Sequence, residues 1–298
     1  MKVLATRRYP GPAFDELPDV ELARLETVTA ARDGVGALIV ANEPVELDLF
    51  PALRLIANFG VGYDRIDLEA CAARGVAVTN TPGVLDAATA DLAVALILAV
   101  RRRVVEGDRL VRAREWRMSW ADSFLGEELT GSTLGIVGLG RIGQAVARRA
   151  QAFDLRVLYT RRRIEPSRLG QQRELDDLLR ESDIVTIHAP RTPETEGMID
   201  ARRLSLLRDG ACLVNTARGE IVDEDALVRE LVSGRILAGL DVFAHEPHVP
   251  EALLDLPNVV LTPHLGSATR QAREAMTRLV VDNVLACEQG EPLLTRVV

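Results

Sequence analysis

Short apolar runs alternate with polar or amphipathic segments along almost the whole sequence. In the first hundred residues these runs fall at 3–5, 37–40, 53–57 and 76–78. A second series begins at Thr133 and continues through DIVTIHAP, ACLVNTARG, ILAGLDVF and NVVLTP. Strands that alternate with helices form βαβ units and parallel sheets, in which the strands are apolar on both faces. The sequence therefore predicts an α/β fold with two doubly wound parallel-sheet domains.

Two longer segments have the pattern of helices. An alanine-rich segment from about Asp86 to Arg103 predicts a buried helix, and residues 269–290 predict an amphipathic helix. Between the two series of strands, residues 114–132 (REWRMSWADSFLGEELTGS) show no clear period. We interpret this charged stretch as a connecting arm.

Composition excludes several classes of protein. The chain has 298 residues, 47% hydrophobic and 27% charged, which is enough for two domains with their own cores. Its net charge of −8 lacks the basic excess of a nucleic-acid-binding protein. The most apolar segment, residues 87–100, is shorter than the roughly 20 residues that a membrane-spanning helix needs. We expect neither nucleic acid nor a membrane as a partner.

Cysteine and lysine usage is also informative. The three cysteines are far apart and form no CxxC pair, which predicts neither a disulfide framework nor a metal site and favours the cytoplasm. Lys2 is the single lysine, so nearly all positive charge is carried by arginine. Because arginine is so common here, its presence alone is a weak signal of function.

The motif GIVGLGRIG places Gly138, Gly140 and Gly143 in GxGxxG spacing, directly after a predicted strand and at the start of a predicted helix. The first glycine permits a tight turn, the second admits a pyrophosphate close to the backbone, and the third lets the helix pack on the strand. The N-terminus of the helix, which includes Arg141 and Ile142, then faces the phosphates. This context predicts dinucleotide binding.

The second strand of this unit ends in VLYTRRRIEP, where an NAD-binding protein would place an acidic residue on the ribose 2′-hydroxyl. Arg161 stands there instead, followed by Arg162. A guanidinium at this position would pair with a 2′-phosphate. NADP(H) is therefore favoured and NAD(H) remains possible. The alternative is that these arginines belong to a solvated loop.

Three polar residues follow successive strands in the second half: Arg218 in NTARGEIVDE, Glu246 in LDVFAHEP and His264 in LTPHLGSAT. In an open α/β sheet, ligands bind outside the carboxyl ends of the strands, so these three residues can converge on one crevice. Taken singly, each would be interpreted as a structural residue.

These motifs, in this order and together with IANFGVGYDRID and TNTPG upstream, resemble the D-isomer-specific 2-hydroxyacid dehydrogenase family from about residue 53 to residue 269. The resemblance implies a Rossmann NAD(P)-binding domain at residues 98–267. This domain would be inserted into a smaller, flavodoxin-like substrate (lid) domain made of residues 1–97 and 268–298. It also implies a homodimer.

The resemblance assigns roles to the three residues at the strand ends. His264 matches the acid/base histidine, Glu246 its carboxylate partner, and Arg218 the arginine that holds the substrate. An imidazole titrates near neutrality and can exchange the proton of a keto oxygen, while a carboxylate favours its protonated form. The implied reaction is the reduction of a small 2-keto acid to the D-2-hydroxy acid.

Other roles also come from the resemblance. Asp241 matches the aspartate that holds the nicotinamide carboxamide, although an aspartate at a strand end can simply cap the next turn. Val61 and Gly62 match the loop whose N–H groups bind the substrate carboxylate, with a plain turn as the alternative. His188 is expected to be structural.

Substrate identity stays open at this point. The cofactor loop and the length resemble glyoxylate/hydroxypyruvate reductases and aryl-pyruvate reductases. Phosphite dehydrogenases share the three catalytic residues, and so do non-catalytic, dinucleotide-sensing corepressors. Turnover of a keto acid separates an enzyme from a sensor.

Overall fold

The computed structural model describes residues 1–117, 124–162 and 167–298. Within it the chain forms two compact units. Unit 1 contains Met1–Leu85 and Ser267–Val298, and unit 2 is the continuous segment Asp86–Gly266. The predicted arm and cofactor loop are only partly described, because residues 118–123 and 163–166 lie outside these ranges.

Unit 1 is built on a five-stranded sheet in the order β2-β1-β3-β4-β5, with every neighbouring pair parallel. The strands are β1 (Lys2–Ala5), β2 (Val20–Leu22), β3 (Val35–Val40), β4 (Leu55–Asn58) and β5 (Ala77–Thr79). This order, 2-1-3-4-5, is that of flavodoxin-like folds, as the sequence predicted. The single lysine, Lys2, begins β1, and its Nζ lies 2.7 Å from Glu21 Oε2.

The helices of unit 1 are α1 (Leu68–Ala73) and α8 (Arg270–Gln289). Helix α8 begins at the N-cap Thr269, whose hydroxyl accepts a hydrogen bond from Ala272 N, and ends at Gly290 in the left-handed conformation. Both are typical helix boundaries. One core cluster of this unit contains Leu4, Leu38, Ile56 and Val78 from four of its strands, each fully buried.

Unit 2 is built on a seven-stranded sheet in the order β12-β11-β10-β9-β6-β7-β8, again parallel throughout. The strands are β6 (Thr133–Val137), β7 (Arg156–Thr160), β8 (Gln171–Gln172), β9 (Ile184–Ile187), β10 (Cys212–Asn215), β11 (Leu237–Leu240) and β12 (Val259–Leu261). The strand order reverses at β6, between β7 and β9. In sheets of this Rossmann order, such a switch point opens a crevice at the carboxyl ends of the strands.

Helices cover both faces of the unit 2 sheet. The helices are α2 (Asp86–Arg101), α3 (Val104–Arg112), α4 (Arg141–Gln151), α5 (Leu175–Glu181), α6 (Ala201–Leu204) and α7 (Glu224–Val232). Helices α2 and α4 pack in one core cluster with strand residues such as Ile136 and Val214. Helices α5, α6 and α7 pack in another with Val137 and Leu213. The unit is doubly wound, as predicted.

The boundaries between the units differ from the predicted ones. The sequence suggested a division after residue 97, whereas the compact units divide after Leu85. The physical reason is that α2 is buried in unit 2, where Ala90, Ala93 and Leu96 belong to the same core cluster as β6 and α4. The second division falls after Gly266, one residue earlier than predicted.

Among the described residues, the structure has no helix with both the length and the apolar character needed to cross a bilayer.

Candidate active site

The glycine turn follows β6 at the switch point, and its geometry excludes side chains. Gly138 has φ of 99°, and a Cβ there would lie 2.8 Å from the backbone of His188 and Ala189. A Cβ at Gly143 would lie 2.2 Å from Gly138 O. By contrast, a Cβ at Gly140 would have no atom within 4 Å, so the space beside this residue is open. The turn therefore leaves room for a ligand next to Gly140.

The start of helix α4 offers hydrogen-bond donors to that space. Gly140 is the N-cap and has no side chain to cap the helix. The first N–H groups of a helix have no partner within it, and here they belong to Arg141, Ile142 and Gly143. Together with the positive end of the helix dipole, they form an anion-binding site. The residues present therefore fit the pyrophosphate of a dinucleotide.

The end of β7 lies beside the glycine turn, because Gly138 N donates to Thr160 O (3.0 Å). The next residue, Arg161, is half-buried, with its guanidinium 5.9 Å from the centre of the Tyr159 ring. Arg162 is exposed. Both positions are therefore occupied by arginine, and neither has the carboxylate that contacts the ribose 2′-hydroxyl in NAD-binding proteins.

The histidine and the glutamate predicted for catalysis are paired. His264 Nδ1 lies 2.8 Å from Glu246 Oε2, and the side chains are 47% and 33% exposed. The second oxygen, Glu246 Oε1, accepts a hydrogen bond from Phe243 N (3.2 Å). Burial raises the pKa of Glu246, but the hydrogen bond and charge of His264, together with smaller contributions, lower it overall.

This pairing fixes the proton on the imidazole. A carboxylate that is ionised at neutral pH can only accept hydrogen bonds, so His264 Nδ1 is the donor. The other ring nitrogen, Nε2, is then left to exchange a proton with a ligand. The pair thus has the arrangement of a general acid held by its counter-charge.

Arg218 follows β10, in extended backbone conformation. Its backbone is held by Asn215, whose Nδ2 donates to Arg218 O (2.8 Å). Its side chain folds back on the chain, with Arg218 Nη1 donating to Ala217 O (2.7 Å). Strand β10 is followed in the sheet by β11, which leads to Glu246, and then by β12, which leads to His264. The three predicted residues are therefore brought to the same edge of the sheet.

Gly219 explains how the loops of Arg218 and Glu246 fit together. A Cβ at this glycine would lie 2.0 Å from Phe243 C and 2.3 Å from Ala244 N. The backbone after Arg218 thus packs directly on the backbone that leads to Glu246. The sequence analysis gave this glycine no role, although its position next to Arg218 was a signal.

Asp241 is fully buried and holds the turn that carries His264. Its Oδ1 accepts hydrogen bonds from Thr262 Oγ1 (2.6 Å) and Leu265 N (2.7 Å), and its Oδ2 accepts one from Gly266 N (2.9 Å). His264 itself has φ of 53°, an uncommon conformation for a residue with a side chain. These contacts match the turn-capping alternative for Asp241.

The loop with Val61 and Gly62 belongs to unit 1, where it follows β4. Two asparagines that the sequence analysis missed hold its carbonyl groups: Asn58 Nδ2 donates to Gly62 O (2.8 Å), and Asn80 Nδ2 donates to Val61 O (3.0 Å). Asn58 is fully buried. These hydrogen bonds fix the carbonyl groups of the loop.

His188 follows β9, and its Nε2 lies 2.9 Å from Thr186 Oγ1. Burial lowers the pKa of His188 to about 3. The imidazole is therefore neutral at physiological pH, which agrees with the structural role expected for it.

Comparisons with known proteins agree with this geometry. A family model described as "D-isomer specific 2-hydroxyacid dehydrogenase, NAD binding domain" matches residues 94–266. The glyoxylate reductase of Pyrococcus furiosus is 48% identical over 97% of this chain and 93% of its own length.

Two solved structures share the fold over the full length of the chain. An NADPH-dependent glyoxylate/hydroxypyruvate reductase from Sinorhizobium meliloti, in complex with NADP and malonate, has a TM-score of 0.92 and 38% identity, covering 100% of this chain and 96% of that one. A D-lactate dehydrogenase from Aquifex aeolicus, complexed with NAD and lactic acid, has a TM-score of 0.87 and 29% identity, covering 100% and 99%.

Fold, glycine turn and comparisons define an oxidoreductase that binds a nicotinamide dinucleotide. The chain belongs to the D-isomer specific 2-hydroxyacid dehydrogenase family.

Proposed function

We propose that the protein reduces glyoxylate or hydroxypyruvate, or a similarly small 2-keto acid, to the corresponding 2-hydroxy acid, of D configuration where C2 is chiral. The observation that carries the proposal is the 2.8 Å contact between His264 Nδ1 and Glu246 Oε2. The named activities of the relatives from Pyrococcus furiosus and Sinorhizobium meliloti support the substrate class.

In the proposed reaction, the bound dinucleotide supplies a hydride to C2 of the keto acid. His264 donates a proton from Nε2 to the keto oxygen, which becomes the hydroxyl. Glu246 stabilises the imidazolium before the transfer and holds the ring in place by accepting from Nδ1. Proton donation at the developing alkoxide lowers the barrier because it removes the negative charge as that charge forms.

Two groups would bind the substrate carboxylate. The Arg218 guanidinium can form two parallel hydrogen bonds with it, or bridge it and the keto oxygen. The N–H groups of Val61 and Gly62 can supply further donors, since Asn58 and Asn80 hold the carbonyl groups of this loop. Binding through several fixed donors orients C2 for hydride transfer.

We further propose that NADPH is preferred over NADH. Arg161 and Arg162 follow β7 next to the glycine turn, where a guanidinium can pair with the 2′-phosphate. Of the two nucleotide-bound relatives described above, one is named NADPH-dependent and one is complexed with NAD, so relatives of this fold use either cofactor.

Initial rates of NADPH and NADH oxidation with glyoxylate and hydroxypyruvate test both proposals. We expect turnover with a preference for NADPH. In Arg161→Ala and Arg162→Ala, kcat/KM for NADPH should fall by about ten- to hundredfold, the value of a lost hydrogen bond to a charged group. Arg168→Ala, an exposed arginine farther along the same loop, is the control. If both arginine variants keep the NADPH-over-NADH preference of the unmodified protein, the NADPH assignment is contradicted.

Asn80 offers a test of the carboxylate loop. Asn80→Ala removes the hydrogen bond to Val61 O, and we expect KM for glyoxylate to rise about fivefold, the effect of one lost hydrogen bond, with a smaller change in kcat. Asn258→Ala is a matched control, because Asn258 Nδ2 holds two carbonyl groups of unit 2. Equal KM values in the two variants would argue against the role of this loop.

We also propose that two copies of the chain associate. Val104 and Val111, each 55% exposed, lie one heptad apart on α3, and the following residues include Trp116 at 64% and Leu125 at 67%. Exposed apolar side chains in one segment are typical of an interface. Analytical ultracentrifugation should give twice the chain mass of 32.5 kDa, and Val111→Glu should shift it towards one chain. A monomer at micromolar concentration contradicts this proposal.

A further inference from the structure

A second candidate site lies within unit 1. A pocket of about 380 Å³ opens at the carboxyl ends of β1, β3 and β4. Its walls are residues 7–10 after β1, Ala41 after β3, Phe59 after β4, and Ala268, Thr269, Arg270 and Arg273 at the start of α8. Carboxyl ends of parallel strands are the edge at which α/β sheets bind ligands. Neither the glycine turn nor the histidine–glutamate pair belongs to this pocket.

The pocket is lined by four arginines, two of which have acidic partners. Arg7 Nη2 lies 3.1 Å from Glu43 Oε1, and Arg8 Nη2 lies 2.6 Å from Asp15 Oδ1. The other two are Arg270 and Arg273, one turn apart on α8. Within the part of the chain that the structure describes, neither of these forms an ion pair or a side-chain hydrogen bond. Two positive charges therefore face the pocket without a counter-charge.

Arg273 is half-buried, whereas Arg270 is exposed. Its guanidinium lies 5.6 Å from the centre of the Phe59 ring, so an aromatic face fixes its position. Burial, and to a smaller extent the charge of Arg7, lower the pKa of Arg273. An arginine nevertheless stays protonated at any physiological pH, so this cation lacks only an anion.

Helix α8 adds to the positive field. It is 20 residues long, and its first turn carries both unpaired arginines. The N-terminus of a long helix has a partial positive charge from the aligned peptide dipoles. Guanidinium groups of this kind suit carboxylates and phosphates, which they bind through paired hydrogen bonds. The chemistry of the pocket therefore favours an oxyanion.

Phe59 connects the pocket to the substrate loop. It is separated by a single residue from Val61, whose N–H group is assigned above to the substrate carboxylate. A keto acid held at Val61 and Gly62 would therefore have its carboxylate on the loop segment that directly follows a residue of the pocket lining. Phe59 and Val61 are two residues apart, so their backbone atoms are separated by at most about 7 Å.

We propose that Arg270 and Arg273 bind a second anionic group of the substrate, a carboxylate or a phosphate monoester, at the far end from the reacting keto acid. This inference rests on the proposed function and, within its class of small 2-keto acids, favours those that carry a second anionic group. The lining also has an apolar part, which includes Pro10 and Phe59. The alternative to a second anionic group is therefore an aromatic group of the substrate.

The test compares keto acids of equal length. With the full-length protein and NADPH, kcat/KM is measured for oxaloacetate against 2-ketobutyrate, for 2-ketoglutarate against 2-ketovalerate, and for phosphorylated against free hydroxypyruvate. We expect the substrate with two anionic groups to be favoured about tenfold or more in at least one pair, the effect of a hydrogen bond to a charged group. Phenylpyruvate is included as the aromatic alternative.

Substitution then assigns the preference to the pocket. The ratio compared is kcat/KM for the keto acid with two anionic groups divided by kcat/KM for its singly charged counterpart. Arg270→Met and Arg273→Met should each lower this ratio about tenfold. Arg278→Met should leave the ratio unchanged, because Arg278 is on the same helix but pairs with Glu16 and Asp282 outside the pocket. A ratio that survives both pocket variants overturns the proposal.

Other outcomes separate this proposal from the proposed function. Turnover of glyoxylate without any preference for a second anionic group, or with phenylpyruvate favoured instead, overturns the pocket assignment and leaves the proposed function standing. If no keto acid is turned over, the proposed function fails and the substrate assignment with it. Inorganic phosphate could also raise the thermal unfolding temperature of the protein but not that of Arg273→Met. If this happens without any preference for substrates with two anionic groups, the pocket binds free anions, and its assignment to the substrate is overturned.

Discussion

Replacement of His264 by asparagine should lower kcat for glyoxylate reduction by about two to four orders of magnitude, the usual contribution of a general acid. Asparagine keeps a polar side chain in the turn but cannot donate a proton of suitable acidity. Because Asp241 holds this turn through its own carboxylate, the backbone around residue 264 should keep its conformation. The measurement is steady-state rate together with NADPH binding by fluorescence, and binding should be unchanged.

His245 provides the control for this experiment. It is an exposed histidine adjacent in sequence to Glu246, and His245→Asn should change kcat by no more than about twofold, as for most surface substitutions. Two results would contradict the assignment of His264: near-normal turnover in His264→Asn, or an equal loss in both variants.

Replacement of Arg218 by lysine should lower kcat/KM for the keto acid by about ten- to hundredfold, mostly through KM. The charge is kept, but a single ammonium group cannot form the two parallel hydrogen bonds of a guanidinium. Asn215 should still hold the backbone of residue 218, so the thermal unfolding temperature should stay close to that of the unmodified protein.

Arg229→Lys is the matched variant, since Arg229 is exposed on α7 in the same unit. It should have the kinetic constants of the unmodified protein. If Arg218→Lys changes only kcat and leaves KM untouched, the arginine acts in the chemical step and not in substrate binding.

The sequence predicted the parallel α/β fold, and the position of three polar residues after successive strands, because both depend on local pattern. Apolar runs that end in Pro, Gly or polar residues mark buried strands, and ligands bind where such strands end. The GxGxxG turn was also predicted from the sequence, because each glycine meets a steric requirement at a known spacing. The edge strands were missed because β2 is only three residues long with a central glutamate, and β8 consists of two glutamines.

Features that depend on tertiary contacts were harder to predict. The first domain boundary was placed too late, because an alanine-rich helix shows that it is buried but not which unit buries it. Asn58, Asn80 and Gly219 act through partners 2 to 25 residues away, and no spacing rule marks them. The arginine pocket was not predicted, because arginine, common throughout the sequence, was discounted as a signal of function. Only the positions of acidic partners distinguish neutralised arginines from unpaired ones.

The position of Lys2 has a practical consequence. Its side-chain amine is the only one in the sequence, and it lies at the start of β1, beside Glu21. The arginine pocket lies past the opposite end of this strand, and His264 and Glu246 belong to the other unit. Reagents that couple to lysine therefore have a single side-chain target, remote along β1 from the pocket. Attachment to a sensor surface or a fluorophore through this amine would be made at the start of β1 and would spare the guanidinium groups on which binding is proposed to depend.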